Sequence, residues 1–144
     1  MIQVKYPTPN FKLKEEDGKE WIFDSIRKQW VRLTPEEWVR QNFVQYLVVQ
    51  KKYPASLIAI EKEIKIGELR RRFDIVVYKN TLPWMIIECK EMETPLNGAV
   101  LQQVLQYNIA LAGSYIALIN GQEHYLWLLQ DGEAIIQQSF PDFL

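Results

Sequence analysis

The chain has 144 residues, of which 48% are hydrophobic and 24% are charged, so it has enough apolar material for the core of one globular domain and no room for a second. Its formal net charge of −1 gives no general attraction to nucleic acid, which counts against a simple nucleic-acid-binding module but less against an enzyme whose metal site gathers carboxylates. No apolar run is long enough to span a membrane and the N-terminus has no signal-peptide core, so we expect a cytoplasmic protein.

Residues 1–33 are expected to form an arm and a hairpin that pack on the main domain, residues 34–144. Residues 1–19 mix prolines, lysines and acids without a sustained period, which predicts an irregular arm. Trp21–Phe23 and Gln29–Leu33 then read as two short strands joined by a polar turn, which predicts the hairpin.

A helix start is indicated at Thr34, with Pro35 at the first helical position and Glu37 at the third, where it completes a capping box. The helix should extend to about Lys51. The helical period predicts a packing face that consists of Val39, Phe43, Tyr46, Leu47 and Gln50. Arg40, Gln41 and Gln45 are expected to lie off that face.

Leu57–Ile66 alternates between isoleucines and mostly charged residues and predicts a first strand, which Gly67-Glu68 turns back. Glu61 and Glu63 share one face of this strand, and the ordinary explanation is the solvent face of an edge strand. A basic patch surrounds the turn and consists of Lys62, Lys65, Arg70, Arg71 and Arg72. It is either a nucleic-acid contact or a solvated strand edge.

Two neighbouring strands are predicted at Arg72–Tyr78 and Pro83–Lys90. In the first, the period of two places Phe73, Ile75 and Val77 on one face and Asp74, Val76 and Tyr78 on the other. In the second, Ile86, Glu88 and Lys90 share a face, with β-carbons about 7 Å apart at each step of two residues. Cys89, the single cysteine, then points to the opposite, core-facing side and is expected to be inert packing.

Asp74, Glu88 and Lys90 have two explanations, since charges at the ends of buried strands need a partner. In the structural explanation, Lys90 pairs with one of the two carboxylates. In the functional explanation, the carboxylates hold a hard divalent cation, while the lysine stabilises charge that develops on a phosphate or orients the attacking water. Phosphodiester hydrolysis is the chemistry that needs this set.

Beyond Lys90, residues 91–95 form a predicted loop, and Leu96–Ala112 forms a predicted second helix that stops at Gly113. Gln103 and Tyr107 lie one turn apart on the apolar face of that helix. A hydrogen-bonded core pair is the ordinary explanation for two such residues.

Three further strands are predicted at Tyr115–Ile119, His124–Leu129 and Ala134–Gln137. Asn120-Gly121 and Asp131-Gly132 supply the tight turns between them. His124 has no Cys, Asp or second His at metal-ligand spacing, so it is interpreted as a strand residue and not as a ligand. There is no Gly-rich phosphate loop and no zinc pattern.

Asp74 followed by Glu88-Cys89-Lys90 resembles the signature of the PD-(D/E)XK nucleases, with Phe73 where a proline often stands. More narrowly, these residues, the helix that begins at Pro35 and the Asn120-Gly121 turn are similar to the N-terminal domain of the type I restriction enzyme R subunit. The resemblance implies an α/β protein with a restriction-endonuclease-like αβββαβ core, in which helices flank a mixed central sheet. The N-terminal hairpin and the C-terminal antiparallel strands would add to that core.

The resemblance also implies a DNA endonuclease that depends on Mg²⁺ or Mn²⁺. The metal ligands would be Asp74, Glu88, Glu37 on the first helix and Glu63 on the first strand. The catalytic residues would be Asp74, Glu88, Lys90, Gln103 and Tyr107. The nucleic-acid contacts would come from Lys62, Arg70, Arg71 and Arg72.

A different function class also fits the residues, namely a nuclease-fold domain that binds nucleic acid or a protein partner without cutting. The low net charge favours it, whereas intact Asp74, Glu88 and Lys90 oppose it. No helicase motor follows in these 144 residues, so we expect a stand-alone domain. Its target would be chosen by the domain itself, by a second copy in a homodimer or by a partner protein, and the residues do not decide between DNA and RNA.

Overall fold

The structure, a computed structural model, describes residues 1–97, 102 and 113–143. A three-stranded sheet comes first and consists of β1 (Leu13–Glu16), β2 (Lys19–Asp24) and β3 (Gln29–Arg32). Helix α1 (Pro35–Gln45) follows, continued by a π-helical turn (Tyr46–Gln50) and a 3₁₀ turn (Ala55–Leu57). A six-stranded sheet consists of β4 (Ile58–Ile66), β5 (Leu69–Lys79), β6 (Leu82–Cys89), β7 (Tyr115–Ile119), β8 (His124–Gln130) and β9 (Glu133–Ile136).

The N-terminal sheet confirms the predicted hairpin, because β2 and β3 pair antiparallel with Phe23 opposite Trp30. The irregular arm predicted for residues 1–19 is wrong in its second half, where β1 pairs antiparallel with β2. Asp17 and Gly18 join these strands with φ angles of 55° and 72°, the left-handed conformation that a tight hairpin turn needs.

Helix α1 begins as predicted, because the Thr34 hydroxyl accepts a hydrogen bond of 3.0 Å from the Glu37 N–H. Its predicted apolar stripe is buried, except that Gln50 is exposed. Arg40 and Gln41, predicted to lie off the packing face, are nevertheless buried, with exposures of only 4% and 5%. Both side chains are buried in a network of charged groups.

The six-stranded sheet has the order β4-β5-β6-β7-β8-β9, in which β6 and β7 are parallel and the other neighbours are antiparallel. The predicted mixed α/β class is therefore confirmed. A parallel pair requires a crossover of a dozen or more residues, and the predicted helix Leu96–Ala112 falls in that connection. Most of it, including Gln103 and Tyr107, lies outside the described residues, and Leu96 and Asn97 are not helical.

Apolar side chains cover both faces of the six-stranded sheet. The cluster on the α1 side includes Val39, Phe43, Leu47, Ile75, Val77, Ile87 and Cys89. The cluster on the other side includes Ile64, Ile66, Phe73, Val76, Ile86 and Leu118. Cys89 is 1% exposed, which confirms its predicted core-facing position.

The alternation predicted around Asp74 is wrong at one step of β5. Phe73 packs on the far side of the sheet, whereas Ile75 packs on the α1 side, so these two residues do not share a face. Between them, Asp74 turns its carboxylate towards Arg40 of α1. In β4, Glu61 lies between the residues that pair with Phe73 and Ile75 and has a φ of 49°, which interrupts the regular strand at the same level.

The C-terminal strands follow the prediction closely. The Asn120 side chain accepts hydrogen bonds from the N–H groups of Gln122 and Glu123 and so closes the turn between β7 and β8. His124 is buried in β8, with its Nε2 atom 2.6 Å from the Tyr6 hydroxyl. Among the helices of the described residues, none has the length and apolar character to cross a membrane.

Candidate active site

Asp74 is fixed where β5 and β6 meet. Its Oδ2 atom accepts a hydrogen bond of 2.7 Å from the Cys89 N–H, and its Oδ1 atom lies 3.4 Å from Nη2 of Arg40. Burial raises the pKa of Asp74 above its ordinary value, and the Cys89 N–H and the charges of Arg40 and Lys90 only partly offset that effect. The carboxylate is thus held in place but would gain from further positive charge.

Glu88 is the neighbour of Asp74 on the adjacent strand, because β5 and β6 are antiparallel with Ile75 opposite Ile87, and Asp74 precedes Ile75 where Glu88 follows Ile87. Burial and the charge of Asp74 raise the pKa of Glu88 to about 7. Its Oε1 atom is buried and has no hydrogen-bond partner among the described residues. A buried carboxylate oxygen without a partner is costly, so this atom is available to a donor or a cation.

Lys90 follows directly after β6, and its backbone N–H donates to the Ile119 carbonyl at 2.8 Å. Its charge lowers the pKa of Asp74 and of Glu88, so the structure brings together the three residues that the sequence singled out. None of the described carboxylates lies within the 4 Å of its ammonium that defines an ion pair. The purely structural explanation, in which Lys90 pairs with Asp74 or Glu88, is therefore not observed.

The acidic residue of α1 that belongs to this group is Glu36, which the sequence reasoning did not select. Burial and the charge of Asp74 raise the pKa of Glu36, while Arg40 and Lys90 lower it. Glu36 also raises the pKa of Glu88. The spacing of four residues between Glu36 and Arg40 could have indicated it, because such residues share a helix face.

Glu37, the predicted ligand on α1, has other partners. Its two carboxylate oxygens each lie 3.0 Å from Nη2 of Arg27, and Oε2 also accepts a hydrogen bond of 3.0 Å from Gln41. The capping box predicted at Thr34 is half confirmed, because the Glu37 backbone N–H donates to the Thr34 hydroxyl whereas the Glu37 carboxylate binds Arg27 and Gln41. The Glu37 carboxylate is therefore bound by Gln41 and by Arg27, which lies in the turn between β2 and β3, rather than open to a metal ion.

Arg40 is surrounded by four carboxylates. Its Nη2 atom lies 3.3 Å from Glu36 and 3.4 Å from Asp74. Its Nη1 atom lies 3.5 Å from Glu37 and 3.3 Å from Glu61, at ion-pair distance without hydrogen-bond geometry. Arg27 contacts Glu37 and Glu61 as well, so the charged network extends from the N-terminal sheet to Asp74.

The remaining predicted ligand and the basic patch lie on the β4–β5 hairpin. Glu63 is exposed and lies opposite Arg72, so its predicted metal role stays a prediction. Arg71 lies close enough to Glu88 for its charge to lower the pKa of that carboxyl. Lys62, Arg70 and Arg72 are exposed.

Asp74 and Glu88 suit a divalent cation by their chemistry, since both are oxygen donors and one Glu88 oxygen lacks a partner. They do not complete a site. Across the residues that the structure describes, no three side chains of the Asp, Glu, His and Cys types are arranged to hold a metal ion. Gln103 and Tyr107, the predicted helix pair, lie outside the described residues.

Comparison with known families adds one finding to this geometry. A family model described as type I restriction enzyme R protein N terminus matches residues 35–141. No curated protein and no solved structure matches the chain. The matched residues include Asp74, Glu88 and Lys90 but not the N-terminal sheet.

Proposed function

Because the chain belongs to the family of type I restriction enzyme R protein N-terminal domains, we propose that it is a nuclease domain that hydrolyses phosphodiester bonds of DNA with Mg²⁺ or Mn²⁺. The proposal includes the restriction-endonuclease-like core, formed by residues 34–144 with residues 1–33 packed on it. The family name also supports a role in restriction-modification, in a DNA-acting complex in which a partner protein or a second copy directs the domain to its target.

The observation that carries this proposal is the state of Glu88. Its pKa is raised to about 7 by burial and by Asp74, and its Oε1 atom lacks a hydrogen-bond partner among the described residues. A carboxyl group with a strongly raised pKa beside a second acid and a lysine is typical of a functional site. A divalent cation shared by Asp74 and Glu88 would offset both the burial and the mutual repulsion.

The chemistry proposed for each residue follows from its position. Asp74 and Glu88 would hold the cation, which when bound supplies Lewis-acid stabilisation of the phosphate. The hydrogen bond from Cys89 orients Asp74 towards this point. Lys90 would stabilise the negative charge that grows on the phosphate oxygens, and Glu36 is better placed than Glu37 to act as the acid from α1. Gln103 and Tyr107 would line the active site and help to position Lys90 or the nucleic-acid backbone, as the sequence resemblance implies.

The test is cleavage of supercoiled plasmid by the purified protein in Mg²⁺, in Mn²⁺ and in EDTA. We expect metal-dependent nicking that Asp74→Asn abolishes. Asp142→Asn is the matched control, because Asp142 is exposed and, among the described residues, forms its ion pair with Lys51 in a surface contact. Cleavage that survives in folded Asp74→Asn, or that is lost equally in the control, would contradict the assignment.

Metal binding can be measured separately by thermal unfolding. A cation at about 100 times its dissociation constant should stabilise the folded protein by about 2.7 kcal/mol through mass action. Asp74→Asn should remove this stabilisation, whereas Asp142→Asn should retain it. Equal stabilisation of both variants would place the cation at another site.

A non-cutting module that binds nucleic acid or a protein partner is the second candidate, and one specific observation favours it. Arg40 already provides positive charge to Asp74, and no complete set of metal ligands is assembled among the described residues. If the protein binds single- or double-stranded substrates but cleaves them in none of several metals and buffers, this function becomes the better assignment.

A further inference from the structure

One face of the N-terminal sheet carries aromatic and basic side chains together. Ile22 and Asp24 on β2 are fully buried, so their neighbours Trp21 and Phe23 point to the opposite, outer side. Cross-strand pairing places Lys14 and Arg32 beside Trp21 and places Trp30 beside Phe23 on that same side. We define the outer face by its seven basic and aromatic residues, which are Lys12, Lys14, Lys19, Trp21, Phe23, Trp30 and Arg32.

Each aromatic ring of the outer face has a cation over it. The Lys14 ammonium is 4.5 Å from the centre of the Trp30 ring, and the Lys12 ammonium is 5.6 Å from that of Phe23. The Arg32 guanidinium is 5.7 Å from the centre of the Trp21 ring. All three rings are only partly buried, so their faces can be reached from solvent when the flexible cations move aside.

Between Trp21 and Trp30 the outer face forms an open cavity of about 280 Å³. Lys14 and Lys19 line it on the basic side, and Glu16 and Asp17 line it at the turn between β1 and β2. Lys14 also forms an ion pair of 3.0 Å with Glu16. The cavity therefore offers two indole rings, positive charge and hydrogen-bond acceptors to a flat polar ring.

These features select a partner by its chemistry. Four cations against the two carboxylates of Glu16 and Asp17 favour a polyanion, in contrast to the net charge of −1 of the whole chain. Three aromatic rings favour a polyanion that also presents unstacked flat rings. A duplex keeps its bases stacked, and an acidic peptide has charge without regular rings, whereas a single-stranded nucleic acid has both.

We propose that the outer face is a binding surface for single-stranded nucleic acid. Bases stack on Trp21, Phe23 and Trp30, while the phosphates between them bind the lysines and Arg32. The surface precedes residue 35, so it lies outside the part of the chain that the family model matches. The proposal does not depend on cleavage, because stacking and phosphate contacts require no metal ion.

The test is fluorescence anisotropy in EDTA with labelled oligothymidylate and oligouridylate of about twelve nucleotides and with a duplex of the same length. We expect both single strands to bind more tightly than the duplex, and the tighter of the two identifies DNA or RNA as the preferred ligand. The affinity should fall with salt at a logarithmic slope of roughly −2 to −3, as four or fewer neutralised phosphates predict.

Variants separate stacking from charge. Trp21→Ala and Trp30→Ala should each weaken binding by roughly tenfold, whereas Trp21→Phe and Trp30→Phe should retain most of it because they keep a ring. The double substitution Lys12→Gln with Lys14→Gln should make the salt slope shallower by about 1.4. Lys51→Gln with Lys52→Gln removes the same charge elsewhere and should leave the slope unchanged.

Circular dichroism establishes whether each variant is folded. If an alanine variant is unfolded, the lysine variants test whether the outer face binds the single strand. Binding that is unaffected by both the tryptophan and the lysine variants would overturn the proposal, as would preference for duplex or absence of binding. Asp74→Asn should bind like the parent protein, so failure of the proposed nuclease activity and failure of this surface are distinguishable.

Discussion

Lys90 is close enough to influence Asp74, Glu88 and Glu36 but forms an ion pair with none of the described carboxylates. A lysine in this position has its charge available for a substrate phosphate. We therefore predict that Lys90→Ala remains folded and cleaves plasmid on the order of 100- to 1000-fold more slowly than the parent protein.

The metal affinity of Lys90→Ala should be unchanged or higher, because the lysine is not a proposed ligand and its removal takes away a nearby positive charge. Manganese-dependent thermal stabilisation measures this. Lys28→Ala, which removes an exposed lysine near β3, is the matched control for both measurements. Loss of metal stabilisation together with activity would mean that Lys90 supports the metal site rather than the phosphate.

His124 predicts a distinct dependence of stability on pH. Burial lowers the pKa of His124 from 6.5 to about 4. Between these two pH values the imidazole is therefore neutral in the folded protein but protonated in the unfolded chain. Stability is therefore retained above pH 6.5 and is lost as the pH falls from 6.5 towards 4. The loss attributable to this residue should reach about 3 kcal/mol.

Urea unfolding at several pH values checks this prediction. His124→Gln should lower stability at neutral pH but flatten the part of the pH profile between 6.5 and 4. Tyr6→Phe removes the hydroxyl beside Nε2 while leaving the imidazole buried, so it should keep the pH dependence. An unchanged profile in His124→Gln would assign the effect to other groups, such as the buried carboxylates.

Glu36 and Glu37 show where sequence reasoning reached its limit at the level of single residues. Both acids follow Thr34, and the capping pattern drew attention to Glu37. The pattern correctly predicted the helix start, yet it could not show that Arg27 of the N-terminal sheet would bind the Glu37 carboxylate. Which acid faces the site depends on long-range pairing that no local period contains.

The strands of the candidate site were predictable because their apolar periods and turns are strong. Gly67, Asn120 and Gly132 all mark turns that the structure contains. The step at Asp74 was not predictable, because the side-chain direction there depends on Arg40 and on the Cys89 N–H rather than on alternation. β1 was missed because its residues are mostly charged, although Asp17-Gly18 is a recognised hairpin signal.

Arg27 connects the N-terminal sheet to α1 and β4, and it gives a prediction about these elements. It contacts Asp24, Glu37 and Glu61, of which the first two are buried. Arg27→Met would leave both buried carboxylates without their main partner, so it should lower the free energy of unfolding by about 3 to 5 kcal/mol.

Chemical unfolding in urea measures that loss. Arg32→Met, which removes an exposed arginine of the same sheet, should cost less than about 1 kcal/mol. Adding Glu37→Met to Arg27→Met should restore part of the stability, because fewer buried charges then lack a partner. A small effect of Arg27→Met would mean that water reaches these carboxylates and that the N-terminal sheet is only loosely attached.

Across the whole molecule, both ends of the described chain pack against the core beneath α1. Near the start, the Ile2 N–H donates to the His124 carbonyl. Near the end, Phe140 packs on Phe43, and the Pro141 carbonyl accepts a hydrogen bond of 2.6 Å from the Tyr53 hydroxyl. The chain ends thus contribute to the stability of the sheet that carries the candidate site.

Cys89 provides a natural probe for local opening of β6. It is the single thiol of the chain, it is buried between the two proposed functional residues Glu88 and Lys90, and burial raises its pKa. A thiol-reactive dye should therefore label the native protein only when β6 separates from its neighbours. The labelling rate without denaturant would measure the free energy of that local opening at the site itself, with no introduced probe. Slower labelling in Mn²⁺ would show that a ligand closes this part of the sheet, and labelling at the rate of a free thiol would mean that the strand is not protected.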